Sequence, residues 1–504
     1  MMWERLRDKR LADKIVTAEV AAGWIEDGMT IGLSGFTRAG DAKVVPLALA
    51  ELAKNENKPF GVNVYTGASL GSDVDAVMAE AGIINKRLPF QADPVMRKKI
   101  NDGSMMFVDQ HLSHTAEAIR QGAIDAIDYA IVEAVAITEE GMIIPATSVG
   151  NSNIFVENAK YVIIELNMAQ SVELEGIHDI YTPAKQGERE PIPLTSVDQR
   201  IGTAGIPVDP DKVKGIVLTN QLDSPSTIVE PDEETAQIAA HLIEFLRQEV
   251  KEGRLPNNLA PLQSGIGSVA NAVFNGFLDS EFTDLTVFSE VLQDAVFDLL
   301  DAGKISFASG CSITLTAEKM KHVTENFAQY RDKLLLRPQE ITNHPELIRR
   351  LGLIAINTAI EADIYGNVNS TNVSGTRMMN GIGGSGDFAR NARLGIFVTK
   401  SIAKGGNISS IVPFASHVDH TEHDVDIIVT EQGLADLRGL APRQRAIKII
   451  ENCAHPMYRD QLMAYYEEAL TRGGHTPHVL EKAFSWHVRY AQEGTMLEKK
   501  LALV

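Results

Sequence analysis

The sequence lacks the marks of several common protein classes. Its 504 residues include only two cysteines, Cys311 and Cys453, which lie far apart in no metal-like spacing. Free thiols in a reducing compartment fit this pattern better than disulfides do. No run approaches the roughly 18 apolar residues that a membrane-spanning helix needs. The first residues, MMWERLRDKRLADKIV, lack the apolar segment of a secretory signal. We therefore expect a cytoplasmic protein without a membrane anchor.

Positive charge is also scarce. Lys and Arg number 47 against 67 Asp and Glu, which gives a formal net charge of −20 at pH 7. This charge argues against nucleic acid and against anionic membrane surfaces as partners. A phosphorylated small molecule remains compatible with it, because a local basic pocket can exist in an acidic protein. MRKKI (96–100) and Lys404 are candidates, and ordinary solvated surface charge is the alternative.

The motifs of several enzyme classes are absent from the sequence. It contains no G-x-S-x-G nucleophile elbow, no P-loop and no helical H-x-x-x-H pair with a catalytic Glu. GIGGSG (381–386) matches the dinucleotide fingerprint by letter, but no clear strand precedes it and residues 400–410 offer no acidic partner for a ribose. The polar run SHVDHTEHDVD (416–426) has no defined ligand spacing. We expect no metal site there, and an adventitious ion is the open alternative.

The chain does contain a regular alternation of short apolar runs and helical patterns. Continuous apolar runs between helical segments predict mainly parallel sheets covered by helices, which is an α/β fold. Two domains are expected, because single cores stop growing at about 250–300 residues. The turn-rich segment 219–235 and the helical pattern after it indicate domains 1–225 and 226–504. The strand-like runs are MTIGLSGF, FGVNVYTG, DYAIVEA, KYVIIELN and VKGIVLTN.

The two halves of the chain resemble each other weakly. Four short segments of the first half have similar segments in the second half, in the same order. The first two spacings between neighbouring segments are similar in the two halves, and the last spacing is about twice as long in the second half. This pattern predicts one α/β unit used twice, the second copy being enlarged, and chance similarity of short apolar words is the alternative. The alignment pairs Glu290 with Gly67, which has no side chain, and Glu431 with Glu165. The word pairs are LSGF and QSGI, VYTGAS and VFSEVL, IVEAVAI and AIEADIYGN, YVIIELN and DIIVTEQG.

Glu290 lies where a ligand would be expected, since open α/β sheets bind ligands beyond the carboxyl ends of their strands. Two glycine turns could present backbone N–H groups to an anion or a thioester: QSGIGSVANAV (263–273), which leads into a helical pattern, and GIGGSG. Asn343 just precedes Pro345, so it could simply cap the helix 345–351. Glu431 ends the strand DIIVT, where an isolated carboxylate is more often structural.

Five longer segments are FSEVLQD, PLQSGIGSVANAV, NGIGGSGDFARN, VTEQGLADLRGL and NCAHPMYRD. They resemble the acetyl-CoA hydrolase/transferase family, in particular its succinyl-CoA:acetate CoA-transferase branch, over nearly the whole chain. The resemblance implies two tandem NagB/RpiA/CoA-transferase-like α/β domains, usually in a homodimer. It also implies transfer of CoA between small carboxylates, mostly succinyl-CoA and acetate. The alternatives are acetyl-CoA hydrolysis, or transfer to propionate, butyrate or 4-hydroxybutyrate.

The resemblance also implies roles for particular residues. Glu290 matches the family's nucleophile, which becomes a glutamyl-CoA thioester in a ping-pong reaction. Backbone N–H groups of Ile266 and Gly384 match the oxyanion hole, while Asn343 and Glu431 match polar residues of the acyl site. CoA is a substrate here, so no permanently bound cofactor and no metal are expected. The residues that match CoA contacts are Gly265, Ile266, Gly267, Ser268, Val269, Ile360, Asn380, Gly384 and Lys404.

Several alternative functions remain compatible with the sequence. A non-catalytic binding protein on the same fold would be expected to lack Glu290 or the glycine loop, and both are present. An NAD-dependent enzyme using GIGGSG is a further alternative. No residue separates a transferase from a hydrolase, because the difference lies in the exclusion of water. We expect Glu290 to be ionised at rest, favoured by the N-terminus of a helix directly after it.

Overall fold

The computed structural model describes residues 2–55 and 59–498. The chain forms two compact units, each assembled from segments that are separated in sequence. After first leaving unit 1, the chain returns to it twice. The predicted division into 1–225 and 226–504 is contiguous and remains a sequence-based prediction. Unit 1 comprises Met1–Ile228, Asp284–Leu351 and Asn380–Asp387, and unit 2 comprises Val229–Thr283, Gly352–Met379 and Phe388–Val504.

The first segment of unit 1 contains one mainly parallel sheet. Strands β4, β3, β2, β1 and β5 are successive parallel neighbours, β5 continues to β7 and β7 to β9. Strands β6 and β8 are antiparallel additions at the end of β5. The strands are β1 (Thr30–Leu33), β2 (Val62–Tyr65), β3 (Ile84–Leu88), β4 (Met106–Phe107), β5 (Tyr129–Ile137), β6 (Met142–Pro145), β7 (Tyr161–Asn167), β8 (Ile206–Pro207) and β9 (Val213–Thr219).

Helices connect these strands, as parallel pairing requires. Capping residues in the sequence fix several of their ends: the Asp93 side chain accepts from the Val95 and Met96 N–H groups, and Gly103 ends the same helix in a left-handed conformation, φ 81°. In the described residues, no helix is long and apolar enough to cross a membrane. The helices are α1 (Met2–Arg5), α2 (Ala18–Ala22), α3 (Val44–Asn55), α4 (Ser72–Ala81), α5 (Pro94–Asp102), α6 (Leu112–Gln121) and α7 (Ser152–Asn158).

The remaining strands are mostly shorter. In unit 1, β11, β13 and β15 are parallel neighbours in that order, and β12 pairs with β14. In unit 2, β10, β16, β21 and β25 are parallel neighbours, and β26 is antiparallel to β25. These strands are β10 (Leu262–Ser264), β11 (Leu285–Phe288), β12 (Val291–Leu292), β13 (Ile305–Gly310), β14 (Ser312–Ile313), β15 (Leu334–Leu336), β16 (Ile354–Thr358), β17 (Glu361–Asp363), β18 (Val368–Asn369), β19 (Asn372–Val373), β20 (Arg377–Met378), β21 (Leu394–Val398), β22 (Ile402–Ala403), β23 (Ile408–Ser409), β24 (Ile411–Val412), β25 (Ile427–Thr430) and β26 (Gly433–Asp436).

Helix α8 begins where the sequence predicts it. Asp232 is its N-cap in a reciprocal capping box with Thr235, and Ile238, Leu242 and Leu246 form its buried face. The helices after residue 228 are α8 (Glu233–Lys251), α9 (Ser268–Asn275), α10 (Asp294–Asp301), α11 (Ala317–Glu325), α12 (Gln339–Thr342), α13 (Pro345–Leu351), α14 (Ser385–Asn391), α15 (Pro442–Cys453), α16 (Pro456–Arg472) and α17 (Ser485–Glu493).

The predicted fold class, α/β with mainly parallel sheets covered by helices, is confirmed. All nine residues of β5 and all five of β21 are buried, as expected for strands covered on both faces. In unit 1 the core lies between sheet and helices and includes Ile31, Val64 and Met78. In unit 2 a second core includes Ile428 and Trp486.

Strand pairing corrects one part of the predicted internal repeat. In the first copy β5 is followed in the sheet by β7, and in the second copy β16 is followed by β21. The counterpart of β7 is therefore β21 and not β25, which removes the correspondence between Glu165 and Glu431. The last spacing between matched segments differed in the two halves because the sequence comparison matched β7 with β25 and passed over β21. Glu290 and Gly67 remain equivalent, since each follows the last residue of its strand by two positions.

Candidate active site

Glu290 lies at the carboxyl end of β11, in the short connection to β12. Its backbone carbonyl accepts hydrogen bonds from the N–H groups of Cys311 (2.7 Å) and Ser312 (3.1 Å), which ties the connection to the end of the neighbouring strand β13. The next helix, α10, begins only at Asp294, after β12. The prediction that a helix begins directly after Glu290 is therefore wrong.

The carboxyl group of Glu290 is enclosed, since the residue is only 9% exposed. Asn343 Nδ2 donates a hydrogen bond to its Oε1 at 2.7 Å. Burial raises the pKa of Glu290 to about 7; the Asn343 hydrogen bond opposes this shift, and the nearby Asp387 charge adds to it. The expectation that Glu290 is ionised at rest needs correction, because with a pKa of about 7 a substantial fraction carries a proton at neutral pH.

Asn343 follows α12 and is completely buried. Its Oδ1 accepts from the Thr342 hydroxyl at 2.8 Å, and its Nδ2 faces both Glu290 and Asp387 Oδ2, the latter at 3.5 Å. The side chain that accepts from the N–H of Glu346, in the first turn of α13, is His344 and not Asn343. Capping of this helix therefore does not account for Asn343, and its amide is directed at two carboxyl groups.

The loop of Asn380 to Gly384 passes directly over the Glu290 carboxyl. A Cβ atom at Gly384 would clash with Glu290 Oε1 and with Asn343 Nδ2, so only glycine fits this position. The loop is anchored by Asp109, whose carboxylate accepts from the Ile382 N–H at 2.9 Å. At Gly384 the Glu290 carboxyl therefore faces backbone and no side chain. A backbone N–H group that stabilises an oxyanion needs such a close approach.

Asp387 is a site component that the sequence analysis did not single out. It is buried, and its carboxylate accepts from the backbone N–H of Ser113 at 3.0 Å and from the Ser113 hydroxyl at 2.5 Å. Burial raises its pKa to about 7, against the lowering effect of these hydrogen bonds. Because Ser113 lies 274 residues away in sequence, no local pattern could have revealed this contact.

The second glycine turn belongs to unit 2 and follows β10. Gly265 donates its N–H to the carbonyl of Ile356 at 2.7 Å. Gly267 has φ 114°, a conformation that favours glycine, and it precedes the first turn of α9, which holds Ser268 and Val269. The Ile266 side chain is 44% exposed, so no packing role explains it.

Three further residues predicted for the site also lie in unit 2. Glu431 follows β25, and its carboxylate accepts from the Ser401 backbone at 2.8 Å, from the Ser401 hydroxyl and from Gln432 Nε2 at 3.0 Å. Burial alone would raise the pKa of Glu431, but these hydrogen bonds outweigh it and the pKa is lowered. Ile360 donates its N–H to the carbonyl of Asn369, and Lys404 is exposed with φ 52°.

The polar run 416–426 is a hydrogen-bonded structural loop. The Asp419 carboxylate accepts from the Ser370 N–H at 2.7 Å and the Thr371 hydroxyl at 2.9 Å, and the buried His420 ring packs on Phe397. Within residues 2–55 and 59–498, no three or more His, Cys, Asp or Glu side chains are grouped so as to hold a metal ion.

Comparison with known proteins identifies relatives along almost the whole chain. A family model for the acetyl-CoA hydrolase/transferase N-terminal domain matches residues 2–218, and one for the C-terminal domain matches residues 321–466. The succinyl-CoA:acetate CoA-transferase of Clostridium kluyveri is 54% identical over 98% of this chain and 92% of its own length. The acetyl-CoA hydrolase of Yarrowia lipolytica is 45% identical over 98% of both chains. The propanoyl-CoA:succinate CoA transferase of Escherichia coli is 43% identical over 96% of this chain and 98% of its own.

Solved structures share the fold at low sequence identity. RipA from Yersinia pestis superposes with a TM-score of 0.72 at 21% identity, over 92% of this chain and 98% of that one. A 4-hydroxybutyrate CoA-transferase from Porphyromonas gingivalis gives a TM-score of 0.62 at 20% identity with the same coverage. At these identities the likeness concerns the fold alone.

Proposed function

The chain belongs to the acetyl-CoA hydrolase/transferase family, and on that basis we propose that it transfers CoA between small carboxylates, with succinyl-CoA and acetate as the principal pair. The observation that carries the proposal is the enclosed carboxyl of Glu290, held by Asn343 at 2.7 Å and covered by the glycine loop. The 54% identity to a protein named succinyl-CoA:acetate CoA-transferase supports the choice of substrates.

In the proposed reaction the Glu290 carboxylate attacks the carbonyl carbon of the acyl-CoA thioester. The C–S bond breaks, giving a mixed anhydride and CoA thiolate. The thiolate then attacks the glutamyl carbonyl, which releases the acyl group as a free carboxylate and leaves a glutamyl-CoA thioester. A second carboxylate reverses these steps and leaves as its own CoA ester. Covalent catalysis of this kind replaces one difficult step by several easier ones.

The surroundings of Glu290 suit this chemistry. The bond from Asn343 to Oε1 fixes the orientation of the carboxyl group and leaves Oε2 as the attacking atom. The Gly384 N–H is our candidate oxyanion donor, and loss of one such donor typically costs about 100-fold or more in rate. The Ile266 N–H keeps its predicted role as a second donor. Predicted CoA contacts stay with Gly265 to Val269, Ile360, Asn380, Gly384 and Lys404, and Glu431 stays a predicted acyl-site residue.

Hydrolysis of acetyl-CoA is the second candidate function, since a relative named acetyl-CoA hydrolase is 45% identical. The same covalent intermediate would serve it, with water as the acceptor in place of a carboxylate. Enclosure of Glu290 favours transfer, because water must be excluded for the glutamyl-CoA thioester to await a carboxylate. An increase in succinyl-CoA consumption when acetate is added distinguishes the two activities, and an acetate-independent rate of release supports hydrolysis.

The decisive experiment is intact-mass analysis after mixing with succinyl-CoA and no acceptor. Wild type should gain one CoA-sized adduct, mapped to Glu290, and lose it when acetate is added. Glu290→Gln is the matched variant, because its amide oxygen can still accept from Asn343 while the side chain cannot form the adduct. A wild-type protein that remains unmodified while it consumes succinyl-CoA would contradict the covalent mechanism.

A panel of carboxylate acceptors would then rank acetate against propionate, butyrate and 4-hydroxybutyrate. One methylene in an apolar site is worth only about 1–3 kcal/mol, so we expect graded rates and not a single active acid. A homodimer and a cytoplasmic location remain predictions of the family resemblance and of the cysteine usage.

A further inference from the structure

Two buried carboxyl groups of unit 1 face a single amide. Asn343 Nδ2 carries two hydrogens, and the two acceptors around it are Glu290 Oε1 at 2.7 Å and Asp387 Oδ2 at 3.5 Å. The first is a normal hydrogen bond, and the second is at the long limit, where the attraction is mainly electrostatic. The Asn343 carbonyl oxygen is taken by the Thr342 hydroxyl. A flip of this amide would turn its oxygen towards both carboxylates, so Asp387 helps to fix which end of Asn343 meets Glu290.

Asp387 is itself held in place. The Ser113 N–H and hydroxyl bind its two oxygens at 3.0 and 2.5 Å, and Ser113 lies in the first turn of α6. The carboxylate therefore cannot turn away from Asn343 without losing both bonds. Its distance from the nucleophile is set by the backbone of α6 and by the loop that carries Gly384.

Few other titratable groups act on this pair. Among the described residues, Cys311 is a further titratable neighbour of Glu290, and its thiol stays protonated because burial raises its pKa. His111 packs against Gly386, one residue before Asp387, and Asp109 binds the Ile382 N–H. Asp387 is the charged group that raises the pKa of Glu290, after burial itself. Two carboxyl groups in one buried site cannot both ionise easily, so the ionised form of Asp387 opposes ionisation of Glu290.

We propose that Asp387 is a positioning residue of the reaction, which acts on Glu290 through its negative charge and through the amide of Asn343. The inference rests on the proposed role of Glu290 as nucleophile. A carboxylate next to a second carboxyl group is more basic while that neighbour is ionised, and a more basic carboxylate is a stronger nucleophile once it is itself ionised. The charge also moves the titration of the nucleophile close to neutral pH, where the reaction would run.

A purely structural role is the competing explanation, because Asp387 also caps the start of α6. The chain provides a matched control for it. Asp294 accepts from the backbone N–H of Thr316 at 3.0 Å and from the Thr316 hydroxyl at 2.5 Å, at the start of α11. This is the same pair of capping bonds as at Ser113, but Asp294 does not contribute to the pKa shift of Glu290. Removal of the negative charge weakens helix capping at both Asp387 and Asp294. Only at Asp387 does it also remove a charge that acts on Glu290.

The test compares Asp387→Asn with Asp294→Asn. An asparagine at either position can keep both hydrogen bonds, since its amide nitrogen can donate to the serine or threonine hydroxyl, and only the charge is removed. The rate of glutamyl-CoA formation from subsaturating succinyl-CoA is measured by quench and mass analysis between about pH 5 and 9. Wild type should lose rate on the acid side with a midpoint near the pKa of Glu290, about 7.

We expect Asp387→Asn to shift this acid midpoint down by about one pH unit and to lower the plateau rate at high pH. Asp294→Asn should leave the midpoint unchanged. A purely structural role would reduce the rate at every pH without moving the midpoint, and that result overturns the inference. If wild type forms no adduct at all, the proposed function fails instead, so the two failures are distinguishable.

Ser113→Ala provides a second variant, which keeps Asp387 and removes the hydroxyl that favours its ionised form. The charge beside Glu290 then persists over a narrower pH range, and we expect a smaller shift of the midpoint in the same direction. An unchanged midpoint in both Ser113→Ala and Asp387→Asn would exclude a role for Asp387 in the titration of the nucleophile. If Asp387→Asn does not fold, Ser113→Ala alone decides, and its midpoint must move down for the inference to stand.

Discussion

Gly384 has no room for a side chain, because Glu290 and Asn343 occupy the space where a Cβ would lie. We expect Gly384→Ala to displace the carboxyl or the loop by enough to reduce transferase activity by about 100-fold or more. Stability should change less than activity, since alanine has no backbone conflict at this position.

Gly23→Ala is the matched control, as Gly23 also has an ordinary φ and a Cβ there would make only normal contacts. Adduct formation and melting temperature are measured for both variants. Activity in Gly384→Ala close to that of Gly23→Ala would mean that the loop does not approach the reacting carboxyl as described.

Motif length decides which of these residues the sequence could reveal. Glu290 and Gly384 lie in segments specific enough to identify a family, whereas Asn343 lies outside them and was predicted only from the role that the resemblance implies. The structure brings these three residues together. Asp387 stands inside a quoted motif, three residues after Gly384, and was still missed, because its meaning depends on Ser113 far away in the chain. The protonation of Glu290 was misjudged for a related reason: its environment is created by burial and by Asp387, not by the helix that follows it in sequence.

A buried ion cluster in the first segment of unit 1 joins the connection after β1, strand β5 and the connection after β9. Lys43 Nζ, 1% exposed, lies 2.6 Å from Glu133 Oε2 in β5, 2.9 Å from Asp223 Oδ1 after β9 and 3.3 Å from Asp41 Oδ1 after β1. Lys43→Met would leave three buried carboxyl groups without their cation, which typically costs about 3–5 kcal/mol.

Lys86→Met is the control for this variant, because the Lys86–Asp125 pair at 2.6 Å is largely exposed and such pairs contribute about 0–1 kcal/mol. Urea unfolding of the two variants measures the difference. Equal losses of stability would mean that the Lys43 cluster is no more than a surface ion pair in energetic terms.

Long buried strands and capped helices were predictable from the sequence, and short strands were not. Strands β1, β2, β5, β7 and β9 coincide with the five apolar runs, because a strand covered on both faces needs an uninterrupted apolar sequence. Strands of two residues, such as β12 and β14, are too short to carry a period. The sheet position of β21 was missed because strand order is a matter of topology, and similar words do not encode it.

Stability of the molecule should fall as the pH rises from about 6.5 to about 8.5. Among the buried carboxyl groups with raised pKa values, three reach about 7 or more: about 8 for Glu133, where burial outweighs Lys43, and about 7 for both Glu290 and Asp387. The folded state holds these protons at a pH where the unfolded chain has released them. A raised carboxyl pKa therefore stabilises the fold at low pH, and this stabilisation is lost as the pH passes through the folded value.

Buried histidines act in the opposite direction only at lower pH. Burial lowers the pKa of His178 and His344 to about 4, so they favour the fold increasingly as the pH rises from about 4 to 6.5 and contribute nothing further above that. The urea midpoint should consequently be lower at pH 8.5 than at pH 6.5. Glu290→Gln should reduce this difference, and a midpoint that rises with pH across this window would refute the assignment.

The compact units of the molecule are a feature that the sequence does not reveal, and the predicted domains 1–225 and 226–504 remain a prediction. A contiguous division follows naturally from length and from a turn-rich segment, but unit 1 also takes in 284–351 and 380–387. The segments that return to unit 1 cannot be recognised from composition, because their composition is like that of the neighbouring segments. The internal repeat could not reveal it either, since a repeat locates similar words and not the partners against which they pack.

The last piece of unit 1, Asn380–Asp387, supplies both Gly384, which covers the Glu290 carboxyl, and Asp387, which we propose acts on that carboxyl. A ribosome translates Glu290 long before it reaches these residues. Until then Glu290 lacks the cover of Gly384 and the neighbouring carboxyl group of Asp387. Under the proposed function, the site can therefore be complete only after Asp387 has been translated, 97 residues after Glu290.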